Sequence, residues 1–286
     1  MRVLRRKMME EQEEQDVLLR MDDACKGVRV LGAFNGRGLW TLTVKEIARF
    51  MKIWPQTILA PLVMTFLFYA VFAVGMGGNA RMIDGVPFLT FAIPGLIMMA
   101  MAQSAFMTPS SSMIISKLQG NIVDILMPPL SALELTLAYT ISGVVRGLLV
   151  GGLGLGAFMA LPAVMPHHIG AVIFFAVAGS LMLSLMGLLT GILGDKFDHL
   201  GAAQSFFITP ATFLSGTFFS ASQLPPAWRG VLYLNPFFYM IDGFRYGFTG
   251  SSEAMLLASG GMLAIISLVL FTLAYWLFAH GTRLKT

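Results

Sequence analysis

Residues 135–161 read LTLAYTISGVVRGLLVGGLGLGAFMAL, apolar from end to end, without Asp or Glu and with a single charged residue, Arg146. At about 1.5 Å per residue, a helix of this length exceeds the ~30 Å hydrocarbon core of a bilayer. Five further stretches, at about 58–78, 88–107, 170–194, 202–221 and 254–279, share this character, and none of them holds a charged residue. The whole chain is 56% hydrophobic and 12% charged, with a mean hydropathy of +0.76, whereas soluble domains are roughly 25% charged. The pattern predicts an all-α polytopic membrane protein of six transmembrane helices in 286 residues.

The missing intramembrane carboxylates bear on function. A carrier driven by protons or sodium places Asp or Glu inside the membrane to bind the ion, and such residues are costly enough there to occur only where they are used. A secondary carrier is therefore disfavoured, and the energy for uphill transport is expected from outside the membrane domain; a membrane scaffold or assembly factor is the other alternative. No lysine follows a glycine anywhere in the chain. A phosphate-binding loop ending in Gly-Lys-Ser/Thr is thus excluded, and no ATP hydrolysis by this chain itself is expected. The spans hold only isolated Ser and Thr, so no catalytic residues, cofactor or nucleic-acid site are expected. His167, His168, His199 and His280 fall in loops or at ends without partners at metal-ligand spacing, and no metal site is expected. The one cysteine, Cys25, rules out an internal disulfide, and the N-terminus lacks the apolar core of a cleaved signal peptide.

Basic residues set the expected orientation. With six spans, all but four of the 19 Lys and Arg residues fall on the side of the two termini; Arg81, Arg229 and Arg245 fall on the other, and Arg146 is intramembrane. Both termini are expected in the cytoplasm.

Four regions carry more specific information. From Leu39 to Trp54, apolar Trp40, Val44, Ile47, Met51 and Trp54 recur every three or four residues with Lys45, Glu46, Arg49 and Lys52 between them, as in a helix lying at the cytoplasmic membrane surface. The connection 108–134 is too long for a turn. Its Met113, Ile114, Leu118, Ile122, Ile125 and Leu126 mark a helix face and Lys117, Gln119, Asn121 and Asp124 a polar one, which fits either a docking knob or a plain connecting helix. Residues 222–250 are external, rich in aromatics and broken by Pro225, Pro226 and Pro236, which predicts short helices dipping back into the outer leaflet, with Asp242 and Arg245 spaced to pair on one helix. Arg146 shares a helix with Gly143, Gly147 and Gly151, and the reading favours a packing or gating role over an anion site for substrate.

The block 117–129 (KLQGNIVDILMPP), the runs 195–198 (DKFD) and 224–228 (LPPAW), and above all 235–247 (NPFFYMIDGFRYG) resemble the ABC-2 type permeases of bacterial ATP-binding-cassette exporters, in particular their YadH-like group. The resemblance covers about residue 37 to the C-terminus and leaves 1–36 as a cytoplasmic extension. It implies a type V exporter-like permease domain at 37–286, a homodimer, and two copies of a separate ATPase subunit that carries ATP and Mg, in the inner membrane of a bacterium. It further implies that Leu39 to Trp54 is the connecting helix. Lys117, Gly120, Asn121, Asp124 and Leu126 would belong to a coupling region that meets the ATPase. Asn235, Pro236, Tyr239, Asp242 and Arg245 would cap the pathway externally. Spans two and five would line the pathway, with Phe206, Phe207, Pro210, Phe213 and Gly216 as wall candidates, and the cargo would be amphiphilic: a lipid, glycolipid, glycan or drug-like molecule.

Overall fold

The computed structural model describes residues 34–75, 82–83, 85–159 and 165–281. The N-terminal extension to residue 33 with Cys25, and Arg81, Arg283 and Lys285, lie outside the described residues. Helix α1 (Gly36–Lys52) leads through a π turn (Pro55–Leu59) into α2 (Ala60–Gly75). A short antiparallel hairpin follows, β1 (Met82–Ile83) on β2 (Val86–Pro87), turned by Gly85 at φ 81°. Then come α3 (Phe88–Leu118), α4 (Ile122–Leu126), α5 (Ala132–Met159) and α6 (Ile169–Leu193). After α7 (Phe197–Ala203) a second π turn (Gln204–Ile208) runs into α8 (Thr209–Phe213), and the chain closes with α9 (Pro226–Leu234), α10 (Pro236–Thr249) and α11 (Leu256–His280).

Five helices among the described residues are long and apolar enough to cross a membrane: Pro55–Gly75, α3, α5, α6 and α11. The stretch expected to form the fifth of six spans differs. It is helical only to Phe213, through α7, the π turn and α8, and continues from Leu214 to Ser220 as turns and bends. Hydropathy runs unbroken through this stretch, but Pro210 has no N–H to give, and in the π turn Thr209 N–H bonds back to Gln204 O. Gly216 then adopts φ 75°, in the left-handed region that ends helices.

Helix α3 forms the centre, packed by α5, α6 and α10. Its first half is apolar and its second half carries small polar residues, and both are buried on all faces as far as Lys117. Lipid tails are as apolar as leucine, so helices in a membrane associate through close packing, and small residues permit it. On α5 a Cβ at Gly143 would lie 2.8 Å from Ala105 O, and one at Gly147 would lie 2.7 Å from Ser180 Oγ. Gly143 therefore admits no larger residue without moving α3, Gly147 is nearly as tight, and Gly151 faces the side chain of Met101. By contrast α2 and α11 turn apolar residues outward, among them Val63, Leu67, Val71, Ile265, Leu268 and Trp276.

Helix α1 is amphipathic in an unexpected sense. Trp40, Val44, Met51 and Trp54 are exposed, a face available to lipid, while Leu42, Thr43, Glu46 and Phe50 are buried. Glu46 stands four residues from both Leu42 and Phe50, so helical periodicity carries it inward instead of to the headgroups.

Candidate functional site

A cavity of about 550 Å³ opens between α2, α3, α5 and the broken helix of α7 and α8. One end is polar, with Gln56, Gln103, Ser104, Arg146 and Gln204; the other is apolar, with Met64, Phe68, Leu96, Met99 and Phe213. Phe213 meets Phe68 edge-on, with ring centroids 6.0 Å apart. Both π turns border this space, through Gln56 on the first and Gln204 on the second. Each precedes a proline, Pro61 or Pro210, and such turns recur at hinges and functional positions in helices. Of the other wall candidates, Phe206 (75% exposed), Phe207 (72% exposed) and Pro210 face outward, and Gly216 is buried in the turn beyond α8.

Behind the polar end runs a chain of hydrogen bonds from α1 to α5. Ser112 donates to Glu46 Oε2 (2.6 Å), and Arg49 pairs with the same oxygen (2.9 Å). Arg49 also donates to Thr108 O (3.3 Å), and Arg146 Nη1 donates to Thr108 Oγ1 (3.3 Å). Arg146 Nε reaches Thr57 O in the first π turn at 3.2 Å, and Thr57 Oγ1 donates to Phe50 O at 2.9 Å. Arg146 thus joins α5 to the start of α2 and to α3 while its guanidinium lines the cavity. Sequence reading did not single out Glu46; its spacing from Leu42 and Phe50 was the available signal.

The external motif finds its partners in the broken helix. Asn235 caps α10 by accepting from Phe237 N (3.1 Å), Pro236 occupies the first turn, and Asn235 Nδ2 donates to Ala211 O (2.7 Å). Arg245, a buried residue of α10, donates to Gly216 O (2.5 Å) and Phe91 O (3.2 Å) and lies 3.7 Å over the Phe91 ring. Asn235 and Arg245 thereby satisfy Ala211 O and Gly216 O, carbonyls that the interruption after α8 frees, which an apolar surrounding requires, and Arg245 ties that stretch to Phe91 of α3. Asp242 accepts from Ser252 Oγ (2.7 Å), Glu253 N (3.0 Å) and Ala254 N (3.1 Å), and Tyr239 donates to Tyr233 O (2.8 Å). Glu253 accepts from Ala221 N (2.5 Å), and its burial raises its pKa above the ordinary carboxylate value.

At the other end of α3 the coupling candidates separate. Lys117 is buried, donating to Ile192 O and to Gly194 O (3.1 Å) and lying 3.5 Å from Asp195. It closes off the carbonyl end of α6, where the helix dipole favours a cation. Gly120, at φ 71°, turns the chain into α4, where Asn121 and Asp124 are exposed and Ile122 and Ile125 are buried. The Leu126 side chain lies outside the described residues. Leu118, Val123 and Met127 stand exposed around Asp124. His167, placed in a loop by sequence, packs its Nδ1 2.5 Å from Phe248 O, and His168 stacks on Tyr246.

The family model for ABC-2 type transporters matches residues 37–249, from the start of α1 to the end of α10. The chain belongs to the ABC-2 type transporter family. It is similar to the inner membrane transport permease YadH of Escherichia coli (strain K12), with 34% identity over 248 residues, 87% of this chain and 97% of that protein. It is also similar to nodulation protein J of Rhizobium leguminosarum bv. viciae, with 27% identity over 254 residues, 84% of this chain and 92% of that protein. Nodulation protein J of Sinorhizobium fredii (strain NBRC 101917 / NGR234) is 27% identical over 197 residues, 67% of this chain and 71% of that protein. As an ABC-2 type transporter the chain is a polytopic membrane permease, the transport component of its system.

Proposed function

We propose that this permease is the membrane half of an exporter in a bacterial inner membrane, working as a homodimer driven by two copies of a separate ATPase that binds ATP and Mg. Both termini face the cytoplasm in this reading, α9 and α10 form a re-entrant cap on the outer side, and the cargo is amphiphilic. The observation that carries it is the continuity of α3. One helix of 31 residues holds the cavity wall at Leu96, Met99 and Gln103 and ends at the exposed turn of Gly120, Asn121 and Asp124. A partner bound to that turn acts on the cavity through a single continuous helix with Pro109 between the two, provided its contacts differ between nucleotide states, since equal binding to two states shifts neither. The outward faces of α2, Phe206 and Phe207 support a second copy as the opposite wall. The bipolar lining of the cavity supports an amphiphilic cargo. The test is co-purification of an ATP-binding-cassette ATPase with the tagged permease from its native membranes, followed by ATP hydrolysis in nanodiscs. A permease that retains its dimer but brings down no ATPase defeats the reading.

A further inference from the structure

We infer that the cavity binds an anionic head group, phosphate or carboxylate, on Arg146. This rests on the reading of the chain as a transport permease and specifies the class of its cargo. Arg146 is 9% exposed and sits in the third span, where a cation is costly unless paired. Its five N–H donors find two partners among the described residues, Thr57 O and Thr108 Oγ1, both neutral. The carboxylate on this side, Glu46, is taken up by Arg49 and Ser112. Arg49 also reaches Thr108, so two cations converge on one residue, Glu46 answers Arg49, and Arg146, the charged residue in the cavity lining, leaves that lining net positive.

The rest of the lining suits such a ligand. Gln56, Gln103, Ser104 and Gln204 share the cavity with Arg146, and the N–H and O–H groups of these side chains are donors for the oxygens of a head group held by the guanidinium. The apolar part of the molecule then lies along Phe68, Met99 and Phe213. A guanidinium suits this task because its planar fork matches carboxylate and phosphate oxygens.

The full chain, reconstituted in phosphatidylcholine nanodiscs, is titrated with dodecyl phosphate and with dodecyl maltoside, which share a chain and differ in head charge. The phosphate is expected to bind roughly tenfold tighter to the wild type, the scale of one added charge-assisted contact. Arg146→Gln is expected to abolish that preference and Arg146→Lys to keep part of it. Gln103→Glu, which adds negative charge to the cavity wall and leaves both Arg146 hydrogen bonds in place, is expected to abolish it and decides the matter if Arg146→Gln does not fold. Competition by inorganic phosphate marks a soluble phosphorylated cargo, and competition by phosphatidic acid marks a membrane lipid; either supports the anion site. Equal affinity of the wild type for the two detergents, or a phosphate preference unchanged in the folded variants, overturns it. No ATPase enters this assay, so that result leaves the exporter reading standing, and absence of an ATPase partner leaves the anion site standing.

Discussion

Two single residues expose how the fold is held at its ends. Lys117 looks from its sequence context like a surface cation of a coupling segment, yet it closes the carbonyl end of α6 at Ile192 and Gly194. Lys117→Met would leave those carbonyls unpaired in a buried place, a loss of about 1–3 kcal/mol. A lower melting temperature in detergent is the expected result, and an unchanged one would show that water replaces the ammonium. Glu253, on the external side, is held above its ordinary value of 4.5 chiefly by burial. The folded form therefore keeps its proton to higher pH than the unfolded form. The contribution of Glu253 to stability is fully present below pH 4.5 and is lost as pH rises through the shifted value. Melting temperatures measured from that pH upward should fall less steeply in Glu253→Gln, whose amide oxygen still accepts from Ala221 N. Parallel profiles for the two proteins would remove Glu253 from the account.

Among the elements, the α4 turn makes the sharpest prediction. Asp124→Lys reverses the charge of an exposed position in a segment that also exposes Leu118, Val123 and Met127, and it touches no span. In the proposed assembly, insertion and dimerisation should persist while ATP hydrolysis by the complex falls; wild-type hydrolysis in an assembled mutant complex would move the proposed ATPase contact elsewhere. The spans and the glycine seam were legible because they depend on local facts: length, apolarity, and Gly143, Gly147 and Gly151 at helical spacing. The interrupted fifth stretch was not. Its break at Leu214 is stabilised by Asn235 and Arg245, donors more than twenty residues away in sequence, and no window of hydropathy contains them. Asp242 and Arg245 were legible as neighbours on one helix, but the loop amides that Asp242 binds and the Phe91 and Gly216 carbonyls under Arg245 were not. Arg146 was visible as a lone charge; that it lines a cavity depends on how four elements meet.

For the molecule as a whole, the proposed orientation has a direct test. Ser222 is exposed in the segment between α8 and α9, expected on the outer side. Cysteine at Ser222 in a Cys25→Ser background should react with an impermeant thiol reagent on intact cells. Labelling only after lysis would invert the molecule in its membrane and put α4 on the outside, away from any ATPase. The two π turns have a consequence for chain length. A π turn is a helix with one residue more than its neighbours need, so removing one residue between Gln204 and Ile208 should return the segment to a plain α-helix. The residues beyond would keep their facing, because the bulge is where the extra residue is absorbed. Phe213 would stay on the cavity wall and Ala211 opposite Asn235, while the widened turn that carries Gln204 at the cavity would be gone. A single deletion within Gln204–Ile208 should therefore be tolerated by the fold, and a loss of transport in that folded variant would assign the π turn itself a part in moving the cargo, whereas unchanged transport would leave it a packing feature.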